Sequence, residues 1–131
     1  MVVVGMHADR LEERRWHTAV PAFAGAIALV FVANVTSVAP AIVLLSIAVL
    51  SVFSMVGPFW AMPTTLLART GAATGIAFIN SVGNLGGFFG PYIIGLLRTS
   101  TGYFKGGFLV VAGALAASGA LVLTVKLGRE A

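Results

Sequence analysis

The stretch that decides the fold runs from Thr18 to Ala68, TAVPAFAGAIALVFVANVTSVAPAIVLLSIAVLSVFSMVGPFWAMPTTLLA, and contains no Asp, Glu, Lys, Arg or His. Charge-free apolar runs of about 18 residues or more are long enough to cross a bilayer. One continuous helix over 18–68 would be about 77 Å long, more than twice the roughly 30 Å hydrocarbon core. The run must fold back once. Asn34, Thr36, Ser37 and Pro40 are its densest polar and proline cluster, and Pro40 suits the first turn of a new helix, where no backbone hydrogen bond is lost. The sequence therefore predicts transmembrane helices over 18–37 and 40–66.

Two further charge-free runs follow. Residues 70–97 and 106–125 also lack Asp, Glu, Lys, Arg and His, which predicts helices over 71–97 and 106–125, the last just long enough to cross. Residues 1–6, Met1 to Met6, are apolar but too short for a signal-peptide core; they read as the end of a truncated helix, with 7–17 as a loop. Of the 131 residues, 59% are hydrophobic and 9% charged, with no cysteine and a mean hydropathy of +1.02. A soluble domain is about 25% charged. A soluble enzyme, a nucleic-acid binder and a secreted disulfide scaffold are excluded, and the expected class is an all-α, polytopic membrane protein with four transmembrane helices.

The isoelectric point near 10.4 reflects basic residues at the ends of apolar runs, which is a topology signal and not a nucleic-acid patch. Four crossings put Arg10, Arg14, Arg15, Arg69, Lys126 and Arg129 on one side and Arg98 and Lys105 on the other. The positive-inside bias makes the first side cytoplasmic, with the C-terminus there.

Polar groups in hydrocarbon are costly and face other helices or a water-filled cavity. Asn80 and Asn84 are four residues apart and share a helix face. Counted from Arg69, Asn80 and Trp60 both lie roughly 14–17 Å into the membrane on neighbouring antiparallel spans. An indole wall with one N–H and a carboxamide that donates and accepts form a candidate site for a hydroxylated or carboxylated small molecule. The competing reading is structural: Asn80 bonds a neighbouring carbonyl and Trp60 packs. Gly83, Gly86, Gly87 and Gly90 fall at i, i+3, i+4 and i+7, a smooth stripe on which another helix can come close. Gly90-Pro91 and Gly57-Pro58 are candidate bends. The last span offers Gly113, Ala116, Ala117 and Ala120 as a small-residue face and is expected at the bundle's outside. Asn34 reads as a helix-end bond.

Between Arg15 and Arg129 there is no Asp or Glu. A proton-driven carrier needs an ionisable group inside the membrane, so any coupling group lies elsewhere. Neither a metal-ligand cluster, nor a nucleophile–base pair, nor a phosphate loop can be assembled. No enzyme, no metal and no cofactor are expected.

Two segments, Gly57-Pro-Phe-Trp-Ala-Met-Pro63 and Gly75-Ile-Ala-Phe-Ile-Asn-Ser-Val-Gly-Asn-Leu-Gly-Gly-Phe-Phe-Gly-Pro91, resemble the tenth and eleventh helices of the anion:cation symporter family. That family is a branch of the major facilitator superfamily whose members carry tartrate, sugar acids and similar organic anions. The opening Gly5-Met-His-Ala-Asp-Arg-Leu-Glu-Glu-Arg-Arg-Trp-His17 resembles the loop between helices eight and nine. The resemblance covers essentially the whole chain; it is specific in 57–91, less so in 5–17, and in 18–50 and 104–131 only hydrophobicity matches.

The resemblance implies that Trp60 and Asn80, with Asn84 on the same face, line the substrate cavity. It also implies that Gly5, Asp9, Arg10, Arg14 and Arg15 form a cytoplasmic loop motif that latches helix ends. The chain would then be the C-terminal part, helices nine to twelve and the end of eight, of a twelve-helix inner-membrane carrier for sugar acids or dicarboxylates. Such a carrier is proton-coupled and works by alternating access. Its partners would be the lipid bilayer, a small organic anion and the missing N-terminal bundle, and the isolated piece is expected to be inactive. A non-transporting small membrane subunit and a complete four-helix exporter are the alternatives. The exporter requires a membrane-embedded carboxylate, which 16–128 lacks.

Overall fold

The computed structural model describes residues 14–66 and 71–125, which form four helices: α1 (Arg14–Val32), α2 (Val38–Leu66), α3 (Ala72–Thr101) and α4 (Lys105–Thr124). No strand occurs among the described residues. α1, most of α2 and α4 are long and apolar enough to cross a membrane. α3 has the length, at 30 residues, but Asn80, Ser81, Asn84 and its glycines dilute its hydropathy. The protein is all-α and multi-pass.

Helix ends differ from those the sequence predicts. α1 starts four residues before Thr18 and stops five before Ser37, so Arg14 and Arg15 belong to a helical turn and not to a loop. Their long side chains let this happen, since the stem can follow the helix while the guanidinium reaches polar atoms at the bundle end. Arg15 Nη1 donates to Val125 O at 2.9 Å, at the end of α4, and Arg14 Nη1 reaches Ala61 O at 3.5 Å in α2. The turn falls at 33–37, as the polar cluster predicts, and Pro40 lies in the first turn of α2. α3 continues to Thr101, where Gly102 stops it in the left-handed conformation at φ 76°, its N–H donating to Arg98 O at 2.8 Å. Glycine takes that conformation without steric cost.

α1 is the centre of the packing. Its buried residues Thr18, Ala22, Gly25, Leu29 and Val32 follow three- and four-residue steps, and Ala19 and Ala26 widen the face. Around it, Ala26, Ala28 and Leu29 meet Ala48 of α2 and Ala112 of α4. A Cβ on Gly25 would come within 2.9 Å of Leu115 Cδ2 and 3.2 Å of Ser51 Cβ. Lipid tails are as apolar as leucine, so helices associate through such close van der Waals fit and not through hydrophobic driving force.

α4, expected at the periphery, instead lies against both α1 and α3. Its buried face is Gly107, Ala112 and Gly119, with Leu115 and Ala116 beside it, whereas Gly113, Ala117 and Ala120 are exposed. Gly119 accepts Ala22 Cβ and Phe23 Cζ, which a Cβ would meet at 3.2 and 3.3 Å, and Gly107 accepts Ile94 of α3. The small residues one step off this stripe point elsewhere.

The hydrogen bonds also sort the ends. Arg14 and Arg15 tie the start of α1 to the far parts of α2 and α4. At the opposite end Lys105 Nζ donates to Asn34 Oδ1 at 2.9 Å, and the Arg98 guanidinium lies 4.4 Å from the Phe104 ring centre. The described basic residues thus divide between the two ends as the sequence grouping requires.

Candidate functional site

α3 is unlike the other helices. It contains no buried residue, and it touches α4 near its C-terminal end, where Ile94 and Leu97 meet Gly107 and Gly106. Its contact with α2 is slight. A Cβ built at Gly83, Gly86, Gly87 or Gly90 would meet nothing within 4 Å. The smooth stripe read from the sequence is present, but no helix among the described residues occupies it.

Asn80 and Asn84 lie on this open helix and are exposed, and neither carboxamide has a hydrogen bond among the described residues. The neighbouring polar side chain behaves differently: Ser81 Oγ donates to Ala77 O at 2.8 Å and so is satisfied within its own helix. The structural reading of Asn80, a bond to a nearby carbonyl, is therefore not met among the described residues. Pro91 adds a third polar group to the face. It has no N–H, so the Gly87 carbonyl loses its i+4 donor. At 100° per residue Asn80, Asn84, Gly87 and Pro91 fall within about 60° of arc. Gly87 has no side chain to cover that carbonyl.

Trp60 is half-buried on α2, edge-on to Phe59 with ring centres 5.5 Å apart and an interplanar angle of 77°. Trp60 lies about 9 Å before the end of α2 and Asn80 about 12 Å after the start of α3 by helical rise. The two share a level to within one turn, and no hydrogen bond joins them. Around Trp60, Pro58, Met62 and Pro63 are buried, whereas a Cβ on Gly57 would meet nothing within 4 Å. Gly57-Pro58 thus lies within a continuous α2, and Gly90-Pro91 within a continuous α3. Of the loop motif, Gly5, Asp9 and Arg10 lie outside the described residues. Arg14 and Arg15 hold the end of the bundle as above.

Asn34, read as a helix-end bond, donates from Nδ2 to Val30 O at 2.8 Å and also accepts from Lys105. The Lys105 contact was not foreseen. Its only signal in the sequence was a polar residue at each of two turns on the same side.

Four long helices, three of them apolar enough to cross a membrane and packed through glycine and alanine, define an all-α multi-pass membrane protein. The relatives agree. The chain is 44% identical over 130 residues to an Agrobacterium vitis protein named as a tartrate transporter, a match that covers 99% of this chain and 28% of that protein. It is 36% identical over 129 residues to the metabolite transport protein NicT of Pseudomonas putida, covering 95% of this chain and 29% of the relative. It is 36% identical over 107 residues to a quinolone resistance transporter of Acinetobacter baumannii, covering 82% and 25%. No family model matches the chain. No solved structure gives a significant match.

The chain is thus a relative of bacterial membrane transporters over nearly its whole length, in agreement with its resemblance to the major facilitator superfamily. It spans under a third of the length of the relatives it matches. These relatives are named as transporters and not as enzymes.

Proposed function

We propose that these helices are the C-terminal part of a secondary active transporter for small organic anions, with α3 and Trp60 forming one wall of the substrate path. The observation that carries this reading is the pair of carboxamides, Asn80 and Asn84, without a hydrogen bond among the described residues, on the one described helix with no buried residue. An amide left unsatisfied in hydrocarbon costs several kcal/mol, so a face of this kind is met by substrate, by water or by another helix. The smooth Gly83–Gly90 stripe beside it suits close approach of a helix from a second bundle, supplied by the N-terminal part of the same carrier. The relative named for tartrate favours a hydroxylated dicarboxylate or sugar acid as cargo.

In this reading Asn80 and Asn84 donate to carboxylate or hydroxyl oxygens, the Gly87 carbonyl accepts from a hydroxyl, and Trp60 closes the apolar side. Bending at Gly57-Pro58 and Gly90-Pro91 lets helix ends swing in alternating access. Since 16–128 holds no Asp or Glu, the proton-coupling carboxylate and the anion's countercharge come from the partner bundle. The end bearing Arg14 and Arg15 faces the cytoplasm of a bacterial inner membrane, the C-terminus lies on that side, and Gly5, Asp9 and Arg10 latch it. The 131-residue chain alone is inactive. The test is uptake of labelled tartrate into proteoliposomes. The carrier with both bundles takes it up, Asn80→Ala and Trp60→Ala lose uptake while still inserting, and the isolated chain accumulates nothing. Accumulation by the isolated chain, or full uptake by both variants, contradicts the proposal.

A further inference from the structure

At the end of the bundle away from Arg14 and Arg15, the 33–37 turn and the turn between α3 and α4 enclose an open cavity of about 650 Å³. Its lining combines apolar Val32, Val35, Phe108 and Leu109 with the polar side chains of Asn34, Thr36, Thr101, Tyr103 and Lys105. Charge makes this cavity unusual. Between Arg15 and Arg129 the sequence has no carboxylate, so Lys105 and nearby Arg98 stand at this end without a counter-ion among the described residues. The Lys105 ammonium donates at 2.9 Å to a neutral carboxamide, Asn34 Oδ1, which leaves its charge uncancelled. Arg98 rests on the Phe104 ring, itself part of the cavity wall.

We infer that this cavity binds the phosphate of an anionic phospholipid, with the head on Lys105 and an acyl chain along Val32, Val35, Phe108 and Leu109. Charge complementarity supplies the head, since basic residues at a membrane surface attract anionic lipid. Position supplies the rest. Lys105 is the first residue of α4 and Val32 the last of α1, so the cavity opens at the level where helices leave the hydrocarbon. Tyr103 and Phe104 sit beside it, as aromatic side chains do at that boundary. A free small anion could use the cation but would leave the apolar residues wet, whereas a lipid satisfies both. This site is separate from the proposed substrate wall and does not depend on it.

The test places one fluorotyrosine at position 103, and in a parallel sample at 92 on α3, and follows fluorine resonances in phosphatidylcholine bilayers with increasing phosphatidylglycerol. The position-103 signal should shift saturably with phosphatidylglycerol, the position-92 signal should not, and added inorganic phosphate should move neither. Lys105→Gln should weaken the apparent affinity about fivefold, the ratio equivalent to about 1 kcal/mol for one lysine near a charged surface. Lys105→Arg should keep it. An unchanged position-92 resonance in Lys105→Gln establishes that the helices still pack. The inference fails if phosphatidylglycerol leaves position 103 unmoved, if phosphate acts equally well, or if Lys105→Gln responds like the parent.

Discussion

Gly25 and Gly119 on one side of the molecule, and Gly83, Gly86, Gly87 and Gly90 on the other, are the same residue in opposite circumstances. The first two are buried in the seam between α1 and its neighbours, where a Cβ would meet side chains at 2.9 and 3.2 Å. The four on α3 meet nothing within 4 Å. The seam is finished; the α3 face is not. Small residues at a closed seam are there so that backbones can approach, and their cost in helix propensity is offset by contacts. On the open face they meet nothing among the described residues, and they lie beside two carboxamides with no hydrogen bond among those residues. The difference teaches that glycines alone do not mark a packed seam: those of α3 form a face that the other described helices leave uncovered.

Substitutions on the two sides should therefore fail in different assays. The largest effect is expected from Asn80→Ala in the two-bundle carrier. Losing a hydrogen bond to a charged substrate group costs about 1.5–3 kcal/mol, or roughly tenfold to a hundredfold in apparent affinity. Tartrate uptake against concentration measures it, and thermal stability should not change. Gly25→Leu should do the reverse. Forcing bulk into a full seam costs about 1–3 kcal/mol, which unfolding of the isolated chain in detergent will report.

A smaller loss, about 0.6 kcal/mol for each interhelical bond, is expected from Asn34→Ala, together with faster amide exchange at 33–37. Gly86→Ala should have the least effect on the isolated chain, neutral or more stable by up to about 1 kcal/mol because alanine is the better helix former. If Gly86→Ala destabilises the isolated chain as Gly25→Leu does, the contrast between the two faces is broken.

Much of this contrast was legible in the residues, and the reasons are uneven. Charge-free runs located all four helices because hydrocarbon tolerates no stray ionised group, and the 33–37 turn followed from Asn34, Thr36 and Ser37. Helix ends were missed where arginine stems extend a helix past its apolar stretch, as at Arg14 and Arg15. The α4 seam was missed because its 20 residues include glycine or alanine on every side. Composition alone could not choose Gly107, Ala112 and Gly119 over Gly113, Ala117 and Ala120. The Asn80–Asn84 pair was readable because two carboxamides stand out in the middle of a helix whose neighbouring residues are mostly apolar or small. What it faces was not readable, since none of the described helices covers it.

The central claim is that the Asn80–Asn84 face meets water and substrate. The 131-residue chain contains no cysteine, so single cysteines at 80, 84 and 82, in a two-bundle carrier with any cysteine of the other bundle replaced, are probed with a membrane-impermeant thiosulfonate. Val82 is the internal control, about 200° round the helix from Asn80. Positions 80 and 84 should be modified and then protected by tartrate, while position 82 stays inert. Modification at 82 with 80 and 84 inert would mean that the face points into lipid, which contradicts the account.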